Sequence, residues 1–257
     1  MLRFCLLGSG SSGNAALVCS ETTRVLIDCG FSLVQLQKRL AQNGAGAEQI
    51  QAVFITHEHG DHVGGLGVLC RRYGIPAYMT AETCANLPQG LGLIPRVELF
   101  EAGEVIRVGD LEVLSYSVSH DAGDPVSYII QSGGMKLGFA TDLGHCSHLV
   151  RARLAGCHAL VLESNYCPEM LRNGKYPPQI QQRIRSRIGH LSNHDMAELL
   201  TELLHDALRT VVLVHISENN NSPDLVQAIA AEVVGGRGVD LVLAAQDVPT
   251  RLFEVLS

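Results

Sequence analysis

The sequence contains no tryptophan, and only 5% of its residues are aromatic. It also lacks any apolar run near the roughly 20 residues that a membrane-spanning helix requires, which argues against an integral membrane protein. The apolar segment after Met1 is too short for a secretory signal and runs into a glycine-serine turn. We therefore expect a cytoplasmic protein with no membrane partner.

Paired cysteine motifs and an excess of basic residues are missing as well. None of the eight cysteines forms a C-x-x-C pair, and several lie in apolar runs, so we predict reduced, mostly buried thiols rather than a disulfide framework.

The net charge of −7 argues against a general nucleic-acid coat protein. It does not exclude a nuclease, because catalytic metals add positive charge that a residue count omits.

Length and patterning favour a layered α/β protein. With 257 residues and 46% hydrophobic content, we predict one domain over residues 1–257, and a homodimer stays open. Strand-like segments dominate the first half, whereas helices such as 178–188 and 193–204 alternate with strands in the second half. Two sheets covered by helices, a four-layer arrangement, fit this order, but periodicity alone leaves other α/β architectures open.

The densest chemical signal is the segment Thr56-His-Glu-His-Gly-Asp-His62, which follows the apolar run 52–55. Its metal-capable side chains are His57, His59, Asp61 and His62. Burying so many imidazoles and carboxylates is costly unless a cation satisfies them. Because this mixed ligand set suits Zn, Mn or Fe, the segment predicts a divalent metal site.

Two metals need more ligands than this segment supplies, and three further positions fit. His120, Asp142 and His215 each follow an apolar, strand-like run and lie in loops. The bland alternatives are a loop histidine beside Asp121, a turn-forming aspartate and a satisfied core histidine, respectively. Their shared placement at strand ends favours the metal interpretation.

The ordered set resembles the metallo-β-lactamase superfamily. Residues 57–62 look like its H-x-H-x-D-H signature, Asp28 in Leu-Ile-Asp-Cys-Gly matches its first motif, and His120, Asp142 and His215 match its later motifs in order. The resemblance implies an α/β fold, a four-layer αββα sandwich, with the site at one edge of the two sheets.

The same resemblance implies two divalent metal ions per chain. It assigns the first metal to His57, His59 and His120, the second to Asp61, His62 and His215, and makes Asp142 a bridge between them. A hydroxide between the metals is implied as the nucleophile, its pKa lowered by the cations. Asp28 is expected to orient the histidine loop rather than to bind metal directly.

A narrower resemblance points to the YycJ/WalJ-like branch of this superfamily. The matching segments are Gly8 to Asn14, Glu163-Ser-Asn165, Tyr176-Pro-Pro178, Gly189 to Asn193 and His215 to Asn220. Members of that branch are regarded as phosphodiesterases, including a 5′-to-3′ exonuclease acting on DNA. They are related to ribonuclease Z and to the β-CASP nucleases, but lack the inserted β-CASP domain.

One departure from the branch concerns Tyr166-Cys167, which stand where its Glu-Ser-Asn motif is commonly followed by His-Asp. A tyrosine here could stack on a base or hydrogen-bond a phosphate, so Tyr166 and the adjacent Asn165 are candidate substrate-binding residues.

Phosphodiester cleavage also requires a proton for the leaving alkoxide. His190 is the best donor outside the ligand set, with Glu163 as its orienting carboxylate. Ribonuclease Z-like enzymes place a glutamate and a histidine similarly. Two alternatives stay open: a histidine beside a helix N-terminus, and a surface carboxylate at a strand end.

Three further features are candidate substrate contacts. The stretch 172–187 holds five cations and no acid, and Arg183 and Arg187 share a face if the segment is one helix, although a solvated face also fits. Ser11 and Asn14 could present backbone amides or hydroxyls to a phosphate, or only shape a tight turn. Asn219 could line the cleft beside His215, or cap the following helix.

Together these features predict a dinuclear-metal phosphodiesterase that trims single strands or ends of DNA, and the resemblance to the YycJ/WalJ-like branch implies a 5′-to-3′ exonuclease. The expected partner is nucleic acid, DNA in preference to RNA. An RNA-processing nuclease, a thioester hydrolase of the glyoxalase II kind and a non-enzymatic binding protein are the competing hypotheses. The Glu163–His190 pair and the basic stretch favour the nuclease.

Overall fold

The computed structural model describes residues 1–257 and contains two sheets of seven strands each. The first sheet has the order β14-β1-β2-β3-β4-β5-β6 and is built from the first part of the chain plus the last strand. Its strands are β1 (Leu2–Gly8), β2 (Ala15–Cys19), β3 (Arg24–Ile27), β4 (Ala52–Phe54), β5 (Ala77–Met79), β6 (Val97–Leu99) and β14 (Phe253–Val255). From β3 to β6 neighbouring strands are parallel.

The second sheet has the order β13-β12-β11-β10-β9-β8-β7. Its strands are β7 (Val105–Val108), β8 (Leu111–Ser117), β9 (Val126–Ser132), β10 (Met135–Ala140), β11 (Ala159–Glu163), β12 (Thr210–Val214) and β13 (Asp240–Leu243). Strands β10 to β13 run parallel to one another, whereas β7 to β10 form antiparallel pairs.

Nine α-helices and two 3₁₀ turns, Ala47–Gln49 and Gln89–Leu91, complete the chain. The helices are α1 (Leu33–Gln42), α2 (Gly60–Val63), α3 (Leu66–Tyr73), α4 (Ala81–Ala85), α5 (His148–Leu154), α6 (Pro168–Asn173), α7 (Pro178–Ile184), α8 (Asn193–Leu203) and α9 (Pro223–Val234). None of them combines the length and the hydropathy that crossing a bilayer demands.

Alternation along the strands explains the layering. In β1, Phe4 and Leu6 belong to a core that also contains Tyr128 and Phe139 of the second sheet, so this core lies between the sheets. The intervening Cys5 and the following Leu7 pack instead with Leu36 and other residues of the first helical layer. Because successive side chains of a strand point to opposite faces, a strand buried on both faces reads as a continuous apolar run.

A third core covers the outer face of the second sheet with α5, α8 and α9. The layers therefore run helix, sheet, sheet, helix, which confirms the predicted four-layer αββα sandwich. All eight cysteines are unpaired and five of them are buried.

One helix is shorter than its sequence suggests. The predicted helix 178–188 ends at Ile184, because the chain turns back at Gly189 and the amide of His190 donates to the carbonyl of Ile184 at 2.8 Å. A Cβ atom on Gly189 would lie 2.1 Å from the same oxygen, so only glycine permits this close return.

Candidate metal centre and active-site cleft

The histidine segment forms a tight connection between β4 and α2 whose backbone is held from two sides. The amide of Asn14 donates to the carbonyl of Asp61 at 2.7 Å, and that of Cys29 donates to the carbonyl of His62 at 2.7 Å. A Cβ atom on Gly30 would lie 1.7 Å from the Asp61 oxygen. A glycine at this position therefore allows the loop after β3 to pack directly against the backbone of the histidine segment.

The first cluster consists of His57, His59 and His120, whose candidate ligand atoms all lie within 4.8 Å of one another. His57 and His59 come from the histidine segment of the first sheet, whereas His120 follows β8 of the second sheet. His120 uses Nδ1 to contact the carbonyl of Gly189 at 2.9 Å, so Nε2, which lies 3.3 Å from Oδ1 of Asp121, is the nitrogen available to a cation.

The second cluster consists of Asp61, His62 and His215. Nε2 of His62 lies 3.6 Å from Oδ2 of Asp61, and Nε2 of His215 lies 3.8 Å from the same oxygen. Asp28 contacts Nδ1 of His62 at 2.8 Å and accepts hydrogen bonds from Thr56, so it fixes the ring that presents Nε2 to this cluster.

Asp142 lies between the two clusters. Its carboxylate is 3.3 Å from Nε2 of His62, 3.9 Å from Nε2 of His120 and 3.5 Å from Nδ1 of His215. Oδ2 of Asp142 and Nε2 of His215 are buried without any hydrogen-bond partner. Buried polar atoms are almost always paired, so these two atoms, within a mixed imidazole and carboxylate set, fit a cation site.

Backbone strain coincides with the centre. The three non-glycine residues with a left-handed backbone are Asp28, Asp142 and His215, with φ of 61°, 53° and 55°. Each lies just beyond the end of a strand, and this conformation typically costs about 1–3 kcal/mol per residue. Because the strain is confined to these three positions, we infer that the fold holds their backbones in this conformation to direct their side chains toward the two clusters.

The electrostatics of His57 and Asp61 agree with ligand roles. Burial, followed by the neighbouring imidazoles, lowers the pKa of His57 well below its ordinary value, which favours the neutral form that binds metal. Burial raises the pKa of Asp61, but the neighbouring His215 and His62 imidazoles outweigh burial, so the net shift of its pKa is downward. Asp61 is therefore a carboxylate at neutral pH.

Glu163 and His190 form a pair beside the centre. Oε1 of Glu163 lies 2.6 Å from Nδ1 of His190, and Oε2 accepts from the amide of Leu143 at 2.8 Å. Glu163 is fully buried, whereas the His190 side chain is 21% exposed. Burial raises the Glu163 pKa, but the charge and hydrogen bond of His190 lower it overall. A fixed carboxylate thus orients an imidazole that reaches solvent.

A cleft opens next to this pair, and several predicted substrate contacts line it. The cavity wall includes Ser11, Asn165, His190, His215 and Asn219. Nδ2 of Asn165 also donates to the His215 carbonyl at 2.8 Å, so this residue links the cavity wall to the metal centre.

Asn14, a predicted substrate contact, does not line this cavity. Its side chain is buried, accepts from the amide of Gly10 at 2.9 Å and donates to Asp61 Oδ2 at 3.1 Å. The predicted phosphate contact is replaced by a structural one, in which Asn14 ties the Ser9–Gly13 turn to the histidine segment.

Tyr166 and Arg187 also depart from the sequence predictions. Tyr166 is only 7% exposed and bridges to Ser192, so its ring offers no open face to a base. Arg187 lies beyond the end of α7, contacts His145 and shares no helix face with Arg183. Arg183 stays at the cleft, where it pairs with Asp121 near the first cluster.

Sequence analysis missed two residues at the cleft. Tyr176 lines the cavities on both sides of His190, and Gln246, from the far end of the chain, closes the cavity beside Ser11. Tyr176 had a recognisable signal, since it is the one aromatic residue within the basic stretch 172–187. Gln246 follows β13, which runs parallel to β12, and its side chain accepts from the amide of Ser12 at 2.9 Å, so its only signal was a polar residue beyond the strand-like run 241–243.

Removing divalent metal is expected to lower thermal stability. Ions that bind only the folded state at a hundredfold excess over Kd add about 2.7 kcal/mol, roughly 5–10 °C in Tm for this chain length. Calorimetry with and without a chelator measures this shift. Asp61→Ala should reduce it, whereas the exposed Asp206→Asn should not. Equal Tm values in both conditions would contradict a metal centre.

Known proteins match the chain over most of its length. A family model described as "Beta-lactamase superfamily domain" matches residues 23–216. Exodeoxyribonuclease YycJ of Bacillus anthracis is 36% identical over 239 residues, 92% of this chain and 90% of that protein. Exodeoxyribonuclease WalJ of Streptococcus pneumoniae is 32% identical over 263 residues, 98% of each chain.

A solved structure shows the same fold. The metallo-β-lactamase fold protein YhfI from Bacillus subtilis superposes with a TM-score of 0.74, covering 99% of this chain and 100% of that one at 16% identity. The layered sandwich and the His/Asp clusters, which suit a dinuclear metal site, agree with the family match and with the two full-length relatives. The chain belongs to the β-lactamase superfamily of metallo-β-lactamase fold proteins, in the family that includes YycJ and WalJ.

Proposed function

We propose that this protein is a metal-dependent exodeoxyribonuclease that degrades DNA from the 5′ end. The relatives named exodeoxyribonuclease, at 36% and 32% identity over nearly the full chain, support a nuclease. The observation that carries the reaction type is the contact between Glu163 and His190 at 2.6 Å, beside the ligand clusters. The polarity is taken from the resemblance to the YycJ/WalJ-like branch.

The proposed centre holds two divalent ions. One is assigned to His57, His59 and His120, the other to Asp61, His62 and His215, with Asp142 shared between them. When bound, such ions polarise the phosphoryl group and activate water at neutral pH. The mixed nitrogen and oxygen ligand set accepts Zn, Mn or Fe.

The protein's own residues then complete the reaction. Glu163 accepts a hydrogen bond from Nδ1–H of His190, so Nε2 is the nitrogen that can give its proton to the leaving oxygen. An alkoxide is too basic to leave without that proton, whereas a thiolate with a pKa near 8.5 leaves readily. The pair therefore favours phosphodiester hydrolysis over thioester hydrolysis.

Substrate contacts follow from the cleft. Ser11, Asn165 and Asn219 offer hydroxyl and amide groups to the DNA backbone. Arg183, which pairs with Asp121 here, is placed to exchange that carboxylate for a phosphate. No excess of basic residues is needed elsewhere, because the bound ions supply positive charge at the scissile phosphate.

We expect 5′-labelled single-stranded DNA to yield labelled mononucleotide from the earliest time points. The 3′-labelled strand should give a ladder of progressively shorter products, since degradation starts at the opposite end. Gel electrophoresis with Mn²⁺ or Zn²⁺ distinguishes these patterns, and Asp61→Ala serves as the inactive control. The inverse pattern would refute the polarity, and cleavage of RNA alone would refute the substrate.

A further inference from the structure

Tyr176 is the one large aromatic side chain that is neither buried nor packed against a hydrophobic core. All six phenylalanines are buried, as are Tyr116, Tyr128 and Tyr166. Tyr73 and Tyr78 are half-buried and pack against the edges of the cores. Tyr176 is half-buried, belongs to none of the three cores and lines the active-site cleft.

Its position relative to the proton donor is specific. Two cavities flank His190, and both include Tyr176, Ile184 and His190 in their walls. The first extends toward Ser11 and His215, and the other toward Arg183 and Asp121. A nucleotide whose oxygen receives a proton from His190 therefore lies next to the Tyr176 ring.

The ring is also held in place before substrate arrives. Pro177 follows it and restricts its backbone to extended conformations. Gln181 donates to its carbonyl at 2.9 Å, and Asn219 donates to its hydroxyl at 3.1 Å. A fixed aromatic face loses little conformational entropy on binding, which makes it a good platform for another planar ring.

We propose that Tyr176 is a stacking platform for the unpaired nucleobase on the leaving-group side of the scissile bond. This inference rests on the proposed nuclease function and adds its substrate form, a single-stranded end. Stacking on an aromatic face tolerates any base, but it requires a base free of its duplex neighbour. The platform thus selects frayed or single-stranded ends without selecting sequence.

The test removes the ring from the protein and the base from the substrate. Two single-stranded oligonucleotides are compared, one unmodified and one with an abasic residue on the leaving-group side of the cleaved bond. For the wild type, we expect kcat/KM to fall about tenfold when the stacked base is missing. Tyr176→Ala should lose about tenfold on the unmodified strand and nothing further on the abasic one.

Two variants separate stacking from a structural role of the hydroxyl. Tyr176→Phe keeps the ring but loses the contact with Asn219, so it should discriminate between the two strands as the wild type does. Tyr73→Ala removes a tyrosine that lines neither cavity and should also discriminate normally. The stacking proposal would be overturned if Tyr176→Ala still cleaved the unmodified strand faster than the abasic one, or if Tyr176→Phe no longer did so.

Failure of the proposed function gives a different result. A wild-type protein that cleaves no DNA contradicts the nuclease assignment, and the platform is then judged by binding. Fluorescence anisotropy with a fluorescein-labelled oligothymidylate should show about tenfold weaker affinity for Tyr176→Ala than for Tyr176→Phe. Equal affinities of the two variants would overturn the platform whatever the reaction.

Discussion

Replacing Asp142 by asparagine is expected to lower DNA cleavage at least about a thousandfold, equivalent to roughly 4 kcal/mol of transition-state stabilisation. The carboxylate lies within 4 Å of His62, His120 and His215, so one charge serves both ligand clusters. An amide of the same shape keeps the packing but removes the charge that two cations share. Initial rates on a labelled oligonucleotide and metal content per chain measure the effect.

The result must be separated from unfolding. Asp206→Asn makes the same chemical change in an exposed residue near the start of β12, at the end of the strand opposite His215. It should keep full activity and full metal content. Asp142→Asn should keep a cooperative thermal transition while binding less metal. More than a tenth of wild-type activity in Asp142→Asn would rule out a shared carboxylate.

Replacing His190 by alanine is expected to slow DNA cleavage by about 10²–10⁴-fold while leaving p-nitrophenyl esters nearly unaffected. The DNA alkoxide needs a proton as it leaves, whereas p-nitrophenolate does not. His190 has the exposure and the orientation that this step requires, since Glu163 holds its Nδ1 at 2.6 Å. Rates on an oligonucleotide and on bis-p-nitrophenyl phosphate, measured in parallel, give the comparison.

Two control variants sharpen this comparison. His194→Ala removes an exposed histidine on the first turn of α8 and should leave both rates unchanged. Glu163→Gln should slow both substrates, because Glu163 also lies 3.2 Å from Nδ1 of the metal-cluster residue His215. Equal slowing of the two substrates by His190→Ala would remove its role as proton donor.

The sequence predicts the strands and the ligand candidates at strand ends through signals that survive without tertiary information, whereas the four-layer sandwich and the division into two clusters followed from the resemblance to a known superfamily. Apolar runs mark the strands, and polar residues such as His215 at the carboxyl ends of parallel strands must meet at one edge of a sheet. The histidine segment likewise comes directly after the parallel strand β4. Such placement depends on chain direction and not on the details of side-chain packing.

The substrate side of the site was less predictable, because its side chains are aimed by contacts between distant loops. Tyr166 is buried, and its backbone pairs with that of Ser192, a contact between distant segments that no local sequence pattern indicates. Arg187 leaves the cleft because the return of the chain at Gly189 ends α7 early. Asn14 turns inward because Asp61 and Gly10 satisfy its amide.

Each metal cluster draws its ligands from both sheets: the histidine segment of the first sheet, and His120 or His215 of the second. Neither half of the polypeptide can therefore assemble a complete centre alone, and a chain emerging from the ribosome lacks one until His215 has been added and both sheets have docked. Hydrolytic competence is in this way tied to finished folding, so partly synthesised or cleaved chains carry no complete centre with which to attack nucleic acid.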